Sequence, residues 1–74
     1  MSTANYTALI AQLVEVRNAK NLSQRALAEL MGINQPEIAR WEKHARPPSL
    51  GSLLMWAHTL GCELSILTKE GMRT

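Results

Sequence analysis

Between Met31 and Gln35 the chain has only Gly32, Ile33 and Asn34 in which to end one apolar-faced segment and begin the next. That short turn constrains the fold more than any other feature. Upstream, Ser23 is a good N-cap, and Leu27, Ala28, Leu30 and Met31 give a short helix a core side. Gly32 suits the position just past a helix end, where a positive φ is needed. Downstream, Asn34 can cap a second short helix from Gln35 to about Lys43, with Ile38 and Trp41 facing inward. Two helices joined this tightly must cross close to the turn. Ala28 leaves room for the crossing, and Leu27, Ile33, Ile38 and Trp41 fill the joint. Pro36 falls in the first turn of the second helix, where its missing N–H has no intrahelical partner to lose.

The rest of the chain supplies a scaffold. Tyr6, Leu9, Ile10, Leu13 and Val16 recur at helical spacing over Tyr6 to Lys20, and Asn21 breaks the pattern. The prolines of "HARPPS" stop any helix after Lys43 and stiffen a loop. Ser49 caps a further helix, for which the spacing predicts a buried face of Leu50, Leu53, Leu54, Ala57 and Leu60, ended by Gly61. "CELSILT" then alternates Cys62, Leu64 and Ile66 against Glu63 and Ser65. Period-2 alternation predicts a strand, and a fifth short helix is the competing reading. A lone strand needs a partner, and the simplest is the same strand of a second copy across a two-fold axis.

Bulk properties narrow the class. A chain of 74 residues is one domain. One cysteine makes no internal disulfide and fits a reducing cytoplasm. No apolar run is long enough to span a membrane, and Gln12 and Glu15 interrupt any signal-peptide core. The net charge is only +2. Between Arg17 and Arg46, however, six basic residues (Arg17, Lys20, Arg25, Arg40, Lys43, Arg46) face three acids (Glu29, Glu37, Glu42). Scattered solvated charge is the plainer reading of that excess, and a polyanion partner the sharper one. His44, His58 and Cys62 lack metal-ligand spacing, and no catalytic cluster or glycine-rich phosphate loop is present, so the expectation is no enzyme, no metal and no cofactor.

Taken as a set, "LSQRALAELMGINQPEIARWEK" and "PPSLGSLLMWAHTLG" resemble the Cro/cI-type (Xre) helix-turn-helix family from about Leu9 to Gly61. The resemblance implies an all-α, lambda-repressor-like domain of four to five helices: a core at residues 6–61, a dimerisation strand at 62–68 and a tail at 69–74. His44 stands where relatives usually carry glycine, so the turn after the third helix is expected to be kept at some strain. Arg17 and Glu42 match positions that form an ion pair in relatives, which assigns both to structure rather than to DNA.

The family places its third helix in the DNA major groove. That implies base contacts from Gln35, Pro36, Glu37, Ala39 and Arg40. Gln35 suits adenine and Arg40 guanine; Pro36 suits a thymine methyl, and Glu37 either accepts from cytosine or repels wrong phosphate registers. Phosphate contacts are expected from Ser23, Gln24, Arg25, Asn34, Lys43 and Arg46. A dimer interface is expected at Met55, Trp56, Cys62, Leu64 and Ile66; for Trp56 the alternative is a ring folded over the core's rim. The implied protein is a cytoplasmic, nucleoid-associated homodimer that represses transcription from a palindromic operator. Alternatives are the DNA-binding antitoxin of a toxin–antitoxin pair, whose partner is a toxin protein, and a protein-binding module that has lost DNA binding.

Overall fold

The computed structural model describes residues 3–64, with side chains from Tyr6 onward. Four helices follow in order: α1 (Thr3–Ala19), α2 (Gln24–Met31), α3 (Gln35–Glu42) and α4 (Leu50–Thr59). α2 packs on α3 and α4, and α1 packs on α3. The core at their junction is Ile10, Leu13, Leu27, Ala28, Met31, Ile38, Trp41, Leu53, Trp56, Ala57 and Leu60.

Each helix stops the same way. Asn21, Gly32, His44 and Gly61 take φ of 57°, 70°, 61° and 76°. After each of these residues the chain turns back, and the next residue donates its N–H to a carbonyl in the last turn. These bonds are Leu22 to Arg17 (3.1 Å), Ile33 to Ala28 (3.0 Å), Ala45 to Arg40 (2.9 Å) and Cys62 to Ala57 (2.8 Å). Such closures satisfy carbonyls that a helix end otherwise leaves unpaired. They also return Leu22, Ile33 and Cys62 onto the core. The glycine at position 32 is there for its backbone: a Cβ would meet nothing within 4 Å, so the only penalty of a side chain is the left-handed φ. At the other ends, Ser23 and Ser49 accept hydrogen bonds from the N–H groups of Ala26 (3.0 Å) and Ser52 (3.1 Å). Asn34 occupies the cap position of α3 but makes no side-chain cap bond, and Pro36 lies in the first turn.

Three features differ from the sequence expectations. The buried face of α4 is Leu53, Trp56, Ala57 and Leu60, whereas Leu50 and Leu54 are 71% and 48% exposed. Leu50, Leu53, Leu54 and Ala57 follow the same i, i+3, i+4, i+7 rule as the real face, so periodicity alone cannot choose the phase. The bulk of Trp56 decides it. Its ring is fully enclosed and lies 5.7 Å from that of Trp41, centroid to centroid, at a 32° tilt. Trp56 is therefore a core residue of its own chain, and its place in an exposed interface is withdrawn. Its Nε1–H is buried and has no acceptor among the described residues.

On α2, Leu30 is 62% exposed, because only Leu27, Ala28 and Met31 reach the crossing. At the C-terminal end, Cys62–Leu64 form no strand, and Cys62 and Leu64 pack against the core of their own chain. Ile66 and the rest of the expected 62–68 strand beyond Leu64 lie outside the described residues.

His44 offers a direct test of how these turns are held. A left-handed non-glycine residue costs about 1–2 kcal/mol, while glycine adds about 0.4–1 kcal/mol of unfolded-chain entropy. His44→Gly is expected to stabilise the fold by about 0.5–1 kcal/mol, raising Tm by about 4 °C in calorimetry. Gly32→Ala is expected to lower it by a comparable amount.

Candidate nucleic-acid interface

The site is built around one buried arginine. Arg17 lies near the end of α1 and is only 8% exposed. All three of its guanidinium nitrogens are used. Nε donates to Glu42 Oε2 at 2.7 Å, Nη2 to Glu42 Oε1 at 2.8 Å, and Nη1 to the Leu22 carbonyl at 2.7 Å. The two parallel bonds to Glu42 form the fork geometry that fixes angle as well as distance. The left-handed turn at Asn21 brings the Leu22 carbonyl within reach. Glu42 is the last residue of α3, so the pair ties the end of that helix to α1.

The chain of hydrogen bonds continues. Gln24, first in α2, donates from Nε2 to Glu42 Oε1 at 3.0 Å. Its Oε1 accepts from Gln35 Nε2 at 2.8 Å. Gln35 opens α3. Both ends of α3 are therefore held: the C-terminal end directly by Arg17, and the N-terminal end through Gln24. The sequence reading assigned Gln24 and Gln35 to separate DNA contacts and missed the bond between them. The available signal was their matching position, each a long amide at the first residue of a helix flanking the same short turn.

The outward side of α3 carries the remaining residues. Pro36 and Arg40 are exposed, and Gln35, Glu37 and Ala39 are half-buried. Arg40 Nη1 donates to Glu37 Oε1 at 3.2 Å, and Arg46 Nη1 lies 3.8 Å from the same oxygen. Arg46 is placed there because the loop after α3 folds back: Ala45 and Arg46 both donate backbone N–H groups to the Arg40 carbonyl, at 2.9 and 3.4 Å. Ser23, Arg25, Asn34 and Lys43 are exposed. Arg25 pairs loosely with Glu29 at 3.7 Å on the open face of α2. Among the described residues, no group of three His, Cys, Asp or Glu side chains could hold a metal ion, and no helix is long and apolar enough to cross a membrane.

A short helix presented outward, braced at both ends and joined to its neighbour by a three-residue turn, defines a helix-turn-helix domain. Comparison with known proteins agrees. The family model described as Helix-turn-helix matches residues 13–67, and the chain belongs to that family. It is 43% identical over 60 residues to a protein of Haemophilus influenzae described as an HTH-type transcriptional regulator, covering 81% of this chain and 61% of that protein. It is 34% identical over 58 residues to the control protein C.SmaI of Serratia marcescens, covering 77% of this chain and 69% of the relative. The chain thus spans roughly two thirds or less of the relatives' length. A solved toxin–antitoxin module from Streptococcus pneumoniae superposes with a TM-score of 0.71 at 32% identity, covering 93% of this chain and 82% of that one.

The buried pair can be tested by unfolding. Glu42→Leu alone leaves the Arg17 charge buried and unpaired, which is expected to cost about 3–5 kcal/mol. A domain of this size holds only roughly 4–11 kcal/mol in total, so the single variant should be largely unfolded in mild urea. The double variant Arg17→Met/Glu42→Leu should recover most of that loss. A double variant no more stable than Glu42→Leu would show that the pair is not the source of the effect.

Proposed function

We propose that the chain is a sequence-specific double-stranded DNA-binding regulator of transcription, acting as a repressor. On this reading α3 enters the major groove and reads bases through Gln35 and Arg40, with Pro36 and Ala39 allowing close approach. One observation carries it. The outward residues of α3 are held from behind by the buried Arg17–Glu42 pair, and the Gln24 bond extends that hold to Gln35. A helix fixed in this way presents its side chains already oriented, so little ordering is needed on binding.

Ser23, Arg25, Asn34, Lys43 and Arg46 then form the rim that meets phosphates. Ser23 and Asn34 stand at helix N-termini, and the basic residues lie on α2 and after α3. Gln24 works through Gln35 on this reading, with both ends of its amide taken inside the protein. The chain acts as a homodimer on a palindromic operator with half-sites about one helical turn, ~34 Å, apart. A second copy meets the surface that carries the exposed Met55. A cytoplasmic, DNA-associated protein follows from that function.

A second reading draws on the likeness to the toxin–antitoxin module. There the chain is the DNA-binding partner of a toxin, and the exposed Leu30, Leu50 and Leu54 are available to that protein. Co-purification of one stoichiometric larger protein at native expression favours it.

The main reading is tested by fluorescence anisotropy with a duplex selected from a random pool. Binding should weaken steeply with salt. Arg40→Ala should lose discrimination at one base position, worth about 1–3 kcal/mol, while Arg46→Ala should weaken the selected duplex without changing its base preferences and reduce its salt slope by about one. Salt-independent or absent binding, or two variants that behave identically, would contradict the assignment.

A further inference from the structure

One side chain on the reading face carries the wrong sign for a surface that meets a polyanion. Glu37 stands in the first turn of α3, half-buried, with its Oε1 shared by two arginines of different tasks. Arg40, 3.2 Å away, sits one turn further along α3 where bases would be read. Arg46, at 3.8 Å, is on the following loop, where a phosphate would be met. Both arginine side chains are mostly open to solvent, at 52% and 65%, so both are free to leave. The loop backbone that brings Arg46 to Glu37 is itself fixed by the two N–H bonds to the Arg40 carbonyl. The three groups are therefore held together by the fold, although Arg46 is far from Glu37 along the chain.

We propose that Glu37 is a positioning residue that sets specificity: it holds Arg40 and Arg46 in the free protein and so suppresses binding to DNA that lacks the right base opposite Arg40. This rests on the DNA-reading function proposed above. The physical case is a comparison of partners. A phosphate oxygen offers each arginine much what the Glu37 carboxylate already offers, one anionic acceptor at the surface, so exchanging one for the other gains little. The displaced carboxylate is then left facing a line of phosphates, which opposes binding. Guanine differs, because its O6 and N7 give Arg40 a bidentate contact that an exposed ion pair does not match. Only a site with guanine in that place compensates for separating Arg40 from Glu37. Glu37 thus acts mainly by penalising wrong sequences, a common route to discrimination.

The test compares the full chain with Glu37→Gln on two duplexes, one selected from a random pool by the parent and one of scrambled sequence, at a series of salt concentrations. Glu37→Gln is expected to bind the scrambled duplex about three- to tenfold more tightly and to steepen its salt slope by about 0.9, one phosphate contact's worth. The selected duplex should gain less, so the ratio between the two falls. The double variant Glu37→Gln/Arg46→Gln should return the slope to the parent's value, a reversal that a change in folding alone would not produce. If Glu37→Gln instead weakens the selected duplex and leaves the scrambled one unchanged, Glu37 contacts a base directly and the proposal is overturned. An unchanged ratio and slope with normal parent binding overturns it too, and leaves the DNA-reading function standing. A parent that binds neither duplex overturns both.

Discussion

The Arg17 guanidinium sits where α1, the end of α3 and the turn after α1 meet. It is buried, always charged, and must find an acceptor for each N–H that water no longer reaches. Glu42 and the Leu22 carbonyl answer that need, and they come from α3 and from the turn after α1. Apolar side chains of similar volume would tolerate small slides between the helices. A forked ion pair does not, because its hydrogen bonds lose strength within a few tenths of an ångström and a few tens of degrees. The pair adds little net stability over a well-packed apolar substitute. What it fixes is the angle at which α3 leaves the body of the domain, and through Gln24 the direction of the Gln35 amide.

Much of this was legible in the sequence, and for local reasons. The turn at Gly32, the serine caps of α2 and α4, the break at Asn21 and the tolerance of Pro36 each depend on a residue and its immediate neighbours. His44 shows the same logic in a less common residue: it takes the left-handed φ that the turn requires, at 61°. The expectations that changed depended on distant contacts. Leu50, Leu54 and Leu30 are apolar at helical spacing, and nothing in α4 or α2 alone says that they face outward. The phase of α4 is set by Trp41, which needs a large flat partner and receives Trp56. The Gln24–Gln35 bond likewise exists only because the turn brings two helix starts side by side.

The electrostatics of the outward face of α3 follow from the same placement. Once Arg17 and Glu42 are assigned to each other, the segment from Lys20 to Arg46 retains five basic residues and two acids. One of those acids, Glu29, sits with Arg25 on the open side of α2. The other, Glu37, lies beside Arg40 and Arg46 on the outward face of α3. The small net charge of the whole chain, +2, is therefore a poor guide to the face that matters. Position relative to the turn is a better one.

On the proposed function, Gln35 reads a base while Gln24 aims it from behind. Selection of bound duplexes from a random pool, run in parallel with the parent chain and with Gln24→Ala, tests this. The parent should enrich two related half-sites about one helical turn, ~34 Å, apart. Gln24→Ala should enrich the same half-sites with preference relaxed chiefly at the position Gln35 reads. A parent pool that emerges without enrichment, or a Gln24→Ala pool indistinguishable from the parent's, would contradict that reading.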